Sequence, residues 1–176
     1  MRFSDRLTQL KPYVFVEISR IIAQKRAEGV EVVTFGIGDP DIETPSPIVD
    51  RLVEASYLGA NHRYPETDGT PEVRRAISQW YKARLGVDHL DPDKEVLPLI
   101  GAKEGIGHVA FSFLDPGDIA LIPDPAYPVY AAGTLFAGAE PYIMPLLAQN
   151  NWLPDIESIP QEIAKKAKVI WLNYPN

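Results

Sequence analysis

A chain of 176 residues with 45% hydrophobic and 23% charged side chains can enclose a core, and its balance is that of a globular protein rather than a disordered or fibrous one. Its 17 basic and 24 acidic residues give a formal net charge of −7, which argues against a nucleic-acid or anionic-membrane partner, since both need a basic surface. The absence of cysteine excludes disulfides, thiolate nucleophiles and cysteine zinc sites, and His62, His89 and His108 lie too far apart in sequence to predict a metal site.

No stretch is apolar for long enough to cross a bilayer, and the first residues lack the apolar segment and cleavage site of a signal peptide, so a cytoplasmic protein is expected. After Lys11-Pro12, Phe15 to Glu28 reads as a helix, with Ile18, Ile21 and Ile22 at helical spacing and Gly29 as the stop. Val32-Val33-Thr34-Phe35 is a short extended run into the loop Gly36-Ile37-Gly38-Asp39-Pro40, whose glycines and proline mark close backbone approach. Ser46-Pro47 opens a helix, with Ser46 as N-cap and an apolar face of Ile48, Val49, Leu52, Val53 and Ala55. A loop from Gly59 to Gly69 carries His62-Arg63-Tyr64-Pro65. Thr70-Pro71-Glu72 repeats the cap-plus-proline start for a helix to about Leu85, predicted to bury Val73, Ala76, Ile77 and Trp80. Asp88 to Lys94 is a polar connector.

From there the rhythm changes. Val96 to Ile100 reads as a strand, and Gly101-Ala102-Lys103-Glu104 turns into a helix through Phe113. After the turn Asp115-Pro116-Gly117-Asp118, a second strand covers Ile119 to Ile122, and a helix begins near Tyr127. Pro141 to Met144 is a third strand with a proline at its edge. Ser158 to Lys166 is a short helix with Ser158 as N-cap, and Lys168 to Leu172 is a final strand before the turn Asn173-Tyr174-Pro175-Asn176. Strands alternating with helices predict an α/β protein with a mostly parallel sheet and flanking helices. A buried strand with no covering element after it suggests the N-terminal portion of a longer chain.

Three loops carry candidate chemistry. The strand–Gly101-Ala102-Lys103–helix junction offers unpaired N–H groups, the positive end of a helix dipole and a lysine, which together suit a phosphate. It matches neither the dinucleotide nor the P-loop pattern, and a plain strand-to-helix turn with an exposed lysine is the alternative. Tyr127 and Tyr130 follow the next strand, at the end of a parallel sheet where ligand crevices form. They suit stacking on a planar ring, or else are core tyrosines with bonded hydroxyls. The Gly36–Asp41 loop could present N–H groups to a carboxylate, or be only a turn before a helix. Lys165, Lys166 and Lys168 read as a solvated polar cluster.

The order Gly38-Asp39-Pro40, then Tyr64-Pro65 with Gly69 and Arg74, then Gly101-Ala102-Lys103-Glu104-Gly105, then Pro123-Asp124-Pro125-Ala126-Tyr127-Pro128-Val129-Tyr130, then Asn173-Tyr174-Pro175-Asn176, resembles fold-type I pyridoxal-phosphate aminotransferases of class I/II. In Ser4-Asp5-Arg6-Leu7, Pro12-Tyr13-Val14-Phe15, Gly36-Ile37-Gly38-Asp39-Pro40-Asp41, His62-Arg63-Tyr64-Pro65, Trp80-Tyr81 and Gly101-Ala102-Lys103-Glu104-Gly105-Ile106 the chain most resembles, within that class, the LL-diaminopimelate aminotransferases. The resemblance implies an incomplete large domain of that fold over residues 46–176, preceded by an N-terminal arm, helix and small-domain segment over residues 1–45.

It further implies that Ala102 and Lys103 hold the phosphate of pyridoxal 5′-phosphate and that Tyr127 lies against its ring. Tyr64 would reach the phosphate of the neighbouring subunit in a homodimer. Gly38 would meet the substrate carboxylate through its backbone, and Tyr13 and Lys103 the far end of the substrate. The Schiff-base lysine would lie beyond Asn176, leaving no catalytic residue in this stretch and an inactive fragment. Substrates would be amino acids and 2-oxo acids: glutamate and 2-oxoglutarate against diaminopimelate and tetrahydrodipicolinate, in lysine biosynthesis. Another class I/II aminotransferase, a pyridoxal-phosphate-dependent lyase and an effector-binding, aminotransferase-like regulator domain are the alternatives.

Overall fold

The computed structural model describes residues 2–10, 12–36, 38, 40–174. Lys11, Ile37, Asp39, Pro175 and Asn176, which the sequence places in candidate loops, lie outside the described residues. The chain forms two compact units, residues 1–33 with 100–176, and residues 34–99.

The first unit is built on a parallel sheet of three strands, β1 (Ile119–Asp124), β2 (Glu140–Pro145) and β3 (Ala167–Ile170), in the order β2-β1-β3. The Ile119–Ile122 run, apolar throughout, becomes the central strand, as a strand covered on both faces requires. Helices α5 (Ala102–Phe113) and α6 (Val129–Phe136) cover one face, where Ala110, Leu114 and Tyr130 pack on Ala120 and Ile122. Helix α7 (Gln161–Lys166) covers the other, with Ile159 and Ile163 against Ile119, Leu121 and Met144. The α5–α6 crossing is close because it is lined by small residues: a Cβ on Gly133 would stand 3.3 Å from the Ala110 Cβ and 3.4 Å from the Gly107 carbonyl.

Two N-terminal helices complete this unit, α1 (Asp5–Thr8) and α2 (Val14–Ala27). Arg6 in α1 donates to the Phe136 carbonyl at the end of α6 (3.0 Å). Helix α2 stops where the sequence predicts: Gly29 takes φ +83°, its N–H bonds the Arg26 carbonyl, and Val30 N–H bonds the Lys25 carbonyl. That pair of bonds satisfies carbonyls the helix end would otherwise leave open.

The second unit holds α3 (Ser46–Ser56), a single 3-10 turn (Gly59–Asn61) and α4 (Pro71–Leu85). Thr70 caps α4 by accepting from the Val73 N–H, and Gly86 closes it at φ +70°.

Several expectations are corrected. Val96 to Ile100 is not a strand: Pro98 has no N–H to give a ladder, and the run has no strand partner among the described residues. Ser46 is the first residue inside α3 rather than its cap, Pro45 holding the cap position without a side-chain bond. Ser158 does not cap α7 either. It bonds back onto Asp155 in a turn, through its N–H to Oδ1 (3.2 Å) and its hydroxyl to the carbonyl (2.8 Å), and α7 starts three residues later.

The predicted buried face of α4 is largely open, with Val73, Ala76 and Trp80 exposed and Ile77 half-buried, because no described element lies over it. The buried residue of that helix is Arg74. Lys168 is not merely solvated: it is the extra residue of a β-bulge in β3, and its Nζ meets Asp118 Oδ2 at 2.9 Å.

Candidate functional site

In a parallel sheet the groups able to meet a ligand gather beyond the carboxyl ends of the strands. Strand β1 ends at Asp124, and the short segment from Pro125, which opens with a cis Asp124–Pro125 peptide, runs to Pro128 at the start of α6. Tyr127 and Tyr130 share this stretch but not an environment. Tyr130 is buried and stacks on Trp171 just after β3, with centroids 4.6 Å apart and planes 10° from parallel. The Trp171 indole N–H is buried with no acceptor among the described residues, so the stack holds this ring. Tyr127 is half-buried and stands edge-on to Tyr130 at 5.8 Å. The core reading therefore holds for Tyr130, while Tyr127 remains available at the rim.

The start of α5 comes to the same place. Gly101 precedes it at φ +83°, a conformation that favours glycine, and the N–H groups of Ala102 and Lys103 have no backbone acceptor among the described residues. The Glu104 carboxylate accepts from the Ile100 N–H (2.6 Å) and the Glu104 N–H donates to the Gly101 carbonyl (3.2 Å), fixing the approach to the helix. Lys103 Nζ lies 6.0 Å from the Tyr127 ring centroid and 5.3 Å from that of Tyr13, the residue that opens α2. Tyr13 in turn packs against Phe15 at 5.4 Å. The Tyr127 phenol and then the Tyr13 phenol raise the Lys103 pKa above the ordinary lysine value, so the ammonium stays charged through neutral pH.

The structure thus brings together Ala102, Lys103, Tyr127 and Tyr13. This is a cationic helix start beside an aromatic ring, a donor set that fits a small ligand with an anionic ester and a planar ring. Tyr64 and Gly38 belong to the second unit, where Tyr64 is fully exposed and a Cβ on Gly38 would meet open space. Among the described residues no group of three or more acidic or histidine side chains could hold a metal ion, and no helix is long and apolar enough to cross a membrane.

Sequence reasoning named Arg74 in the family motif without giving it a role, and did not pair Trp171 with Tyr130. Arg74 has a side chain only 7% exposed and bonds the carbonyls of Pro92 (3.0 Å), Asp68 (3.4 Å) and Gly69, with Asp68 Oδ2 at 2.9 Å and Asp93 Oδ1 at 3.3 Å. Its signal was an arginine set within the apolar run of α4, one residue after Val73 and three before Ile77. The Trp171–Tyr130 stack joins residues far apart in sequence, and no local pattern announces it.

Residues 30–176 match the family model of aminotransferase class I and II. The chain is 58% identical over all its residues to an LL-diaminopimelate aminotransferase of Dehalococcoides mccartyi, and 54% identical over 99% of its length to one of Aquifex aeolicus. It spans 45% of each, less than half the length of these curated relatives. Among solved structures, the substrate-bound BacF of Bacillus subtilis superposes with a TM-score of 0.86 at 37% identity, over the whole chain and 44% of that protein. With a matched region that takes in both the start of α5 and the Tyr127 segment, the chain belongs to the aminotransferase class I and II family.

Proposed function

We propose that the complete protein is a pyridoxal 5′-phosphate-dependent LL-diaminopimelate aminotransferase of lysine biosynthesis, acting between glutamate and 2-oxoglutarate on one side and diaminopimelate and tetrahydrodipicolinate on the other. The observation that carries the reading is the placement of Lys103, at the free start of α5 and 6.0 Å from the Tyr127 ring. Relatives of that name at 54% and 58% identity along the chain support the substrate choice.

When bound, the cofactor supplies an electron sink for the substrate carbon. Ala102 and Lys103 hold its phosphate, with first-turn N–H groups and a charge that persists at neutral pH. Tyr127 packs on its ring. Tyr64 reaches the phosphate bound by the neighbouring subunit of a homodimer, and Gly38 offers its N–H to the substrate carboxylate. Tyr13 and Lys103 together meet the distal end of the substrate, which suits a molecule with a second carboxylate.

The lysine that carries proton transfer is not assigned to this stretch. Lys103 and Lys168 both have raised pKa values, Lys168 through its bond to Asp118, so neither is a neutral amine near pH 7. A soluble assay of the complete polypeptide tests the reading: LL-diaminopimelate with 2-oxoglutarate is expected to yield glutamate, and Tyr13→Phe to impair diaminopimelate more than shorter amino acids. Elimination products would favour a lyase, and binding without turnover an effector-sensing domain. Either result would overturn the proposal.

A further inference from the structure

The loop that carries Tyr64 is fastened at both ends within its own unit. Upstream, the last carbonyls of α3 receive two side chains: Asn61 Nδ2 donates to Ala55 (2.7 Å), and His62 Nε2, which must carry the proton to do so, donates to Ser56 (2.8 Å). Downstream, Gly69 bonds the Glu66 carbonyl (2.9 Å) and takes φ +80°, with the Pro98 ring 2.7 Å from where a Cβ would sit. The buried Arg74 guanidinium then ties the carbonyls of Asp68 and Gly69 to that of Pro92.

Between these clamps the Tyr64 ring stands fully exposed, with no hydrogen bond or ring contact among the described residues. A buried guanidinium whose donors are shared between two backbone segments fixes those segments relative to each other. Here the fixed geometry is that of a projecting phenol. Ordering such a loop only when ligand arrives would subtract from affinity, whereas ordering it in the free protein moves that cost to folding.

We propose that Arg74 is a positioning residue for Tyr64, acting with Asn61 as the two ends of one brace. The inference rests on the reading of Tyr64 as a contact to the cofactor phosphate. Its test is a double-mutant cycle on the complete polypeptide, measuring the pyridoxal 5′-phosphate dissociation constant by titration and the thermal midpoint in parallel. Arg74→Lys is expected to weaken cofactor binding about tenfold alone, and by less than about twofold in a Tyr64→Phe background. Arg75→Met, which removes a guanidinium from the same helix whose partner is the exposed Glu72, is expected to leave binding unchanged.

Asn61→Ala should reproduce the coupled loss, and it keeps the test open if Arg74→Lys fails to fold. A lowered thermal midpoint with unchanged cofactor affinity, or a loss that adds fully to that of Tyr64→Phe, would overturn the brace. An unchanged affinity in Tyr64→Phe alone would instead overturn the reading of Tyr64, and the brace with it.

Discussion

Replacing Arg74 by methionine should be the most damaging single change in the second unit, and the structure says which of its contacts carry the cost. The side chain is 7% exposed, whereas Asp68 and Asp93 opposite it are 51% and 71% exposed. Ion pairs to carboxylates so open to water contribute about 0–1 kcal/mol each. The bonds to the Pro92 and Gly69 carbonyls are part-buried, and a hydrogen bond to a charged donor contributes about 1.5–3 kcal/mol. Allowing for shared geometry, Arg74→Met should lower the opening free energy of α4 by about 3–5 kcal/mol. Native-state hydrogen exchange on the α4 amides reads this directly. Asp68→Asn and Asp93→Asn should each cost about 1 kcal/mol or less, and 1 M salt should change the wild-type value little. Either aspartate variant costing as much as Arg74→Met, or salt abolishing the difference, would show that the carboxylates carry the interaction and the reasoning is wrong.

Gly133→Val should destabilise by about 1–3 kcal/mol in chemical denaturation, because its Cβ alone would stand 3.3 Å from Ala110. Gly133→Ala should lie near neutral, since the gain in helix propensity of about 1 kcal/mol offsets the tighter contact. Asp118 has its pKa held below the ordinary carboxylate value, first by Lys168 and then by the Asp115 N–H, so its contribution to stability is present above about pH 4 and lost as pH falls through the lowered value. The raised Lys168 pKa sets the other limit: that contribution is complete below the unfolded lysine value and lost as pH rises through the higher folded one. Lys168→Met should therefore reduce the thermal midpoint most between these limits and match wild type in strong acid. Lys103→Ala should weaken pyridoxal 5′-phosphate binding by about 10–100-fold in fluorescence titration, with Lys103→Arg retaining most of the affinity.

How much of this was legible depended on how local the cause was. The stop of α2 at Gly29, the cap of α4 at Thr70 and the start of α5 after Gly101 are each set by residues within one turn, and the structure places all three as predicted. The apolar run from Ile119 became the central strand because burial on both faces leaves no other use for it. Failure came where the outcome depends on a distant partner. The Val96–Ile100 run has strand composition, yet a strand exists only through its neighbours, and Pro98 limits which could be accepted. The periodicity of α4 correctly marks which face is apolar but not what lies over it, so Val73 and Trp80 were assigned a burial that the structure does not give them. Ser46 and Ser158 show that a capping residue type before a proline is ambiguous by one to three positions.

The same distinction separates the two halves of the candidate site. Gly101 to Lys103 and Tyr127 are each suggestive alone and each have an ordinary alternative, an exposed turn lysine and a core tyrosine. Their joint placement favours the ligand-binding reading of both. Among the described residues Lys103 has no carboxylate partner, and its ammonium rests against the rings of Tyr13 and Tyr127. Cation–π contacts at exposed positions are worth only about 0.5–1 kcal/mol, so they orient the ammonium without neutralising it. On a chain of net charge −7, a cation left without a counter-ion at a helix start adds to the positive dipole end instead of cancelling it. Tyr130 is committed to Trp171 and the core, which leaves Tyr127 as the ring of this segment able to meet a ligand. An anion drawn to Lys103 and the free N–H groups would therefore arrive beside an aromatic surface, and a ligand with both a phosphate and a planar ring satisfies the two at once.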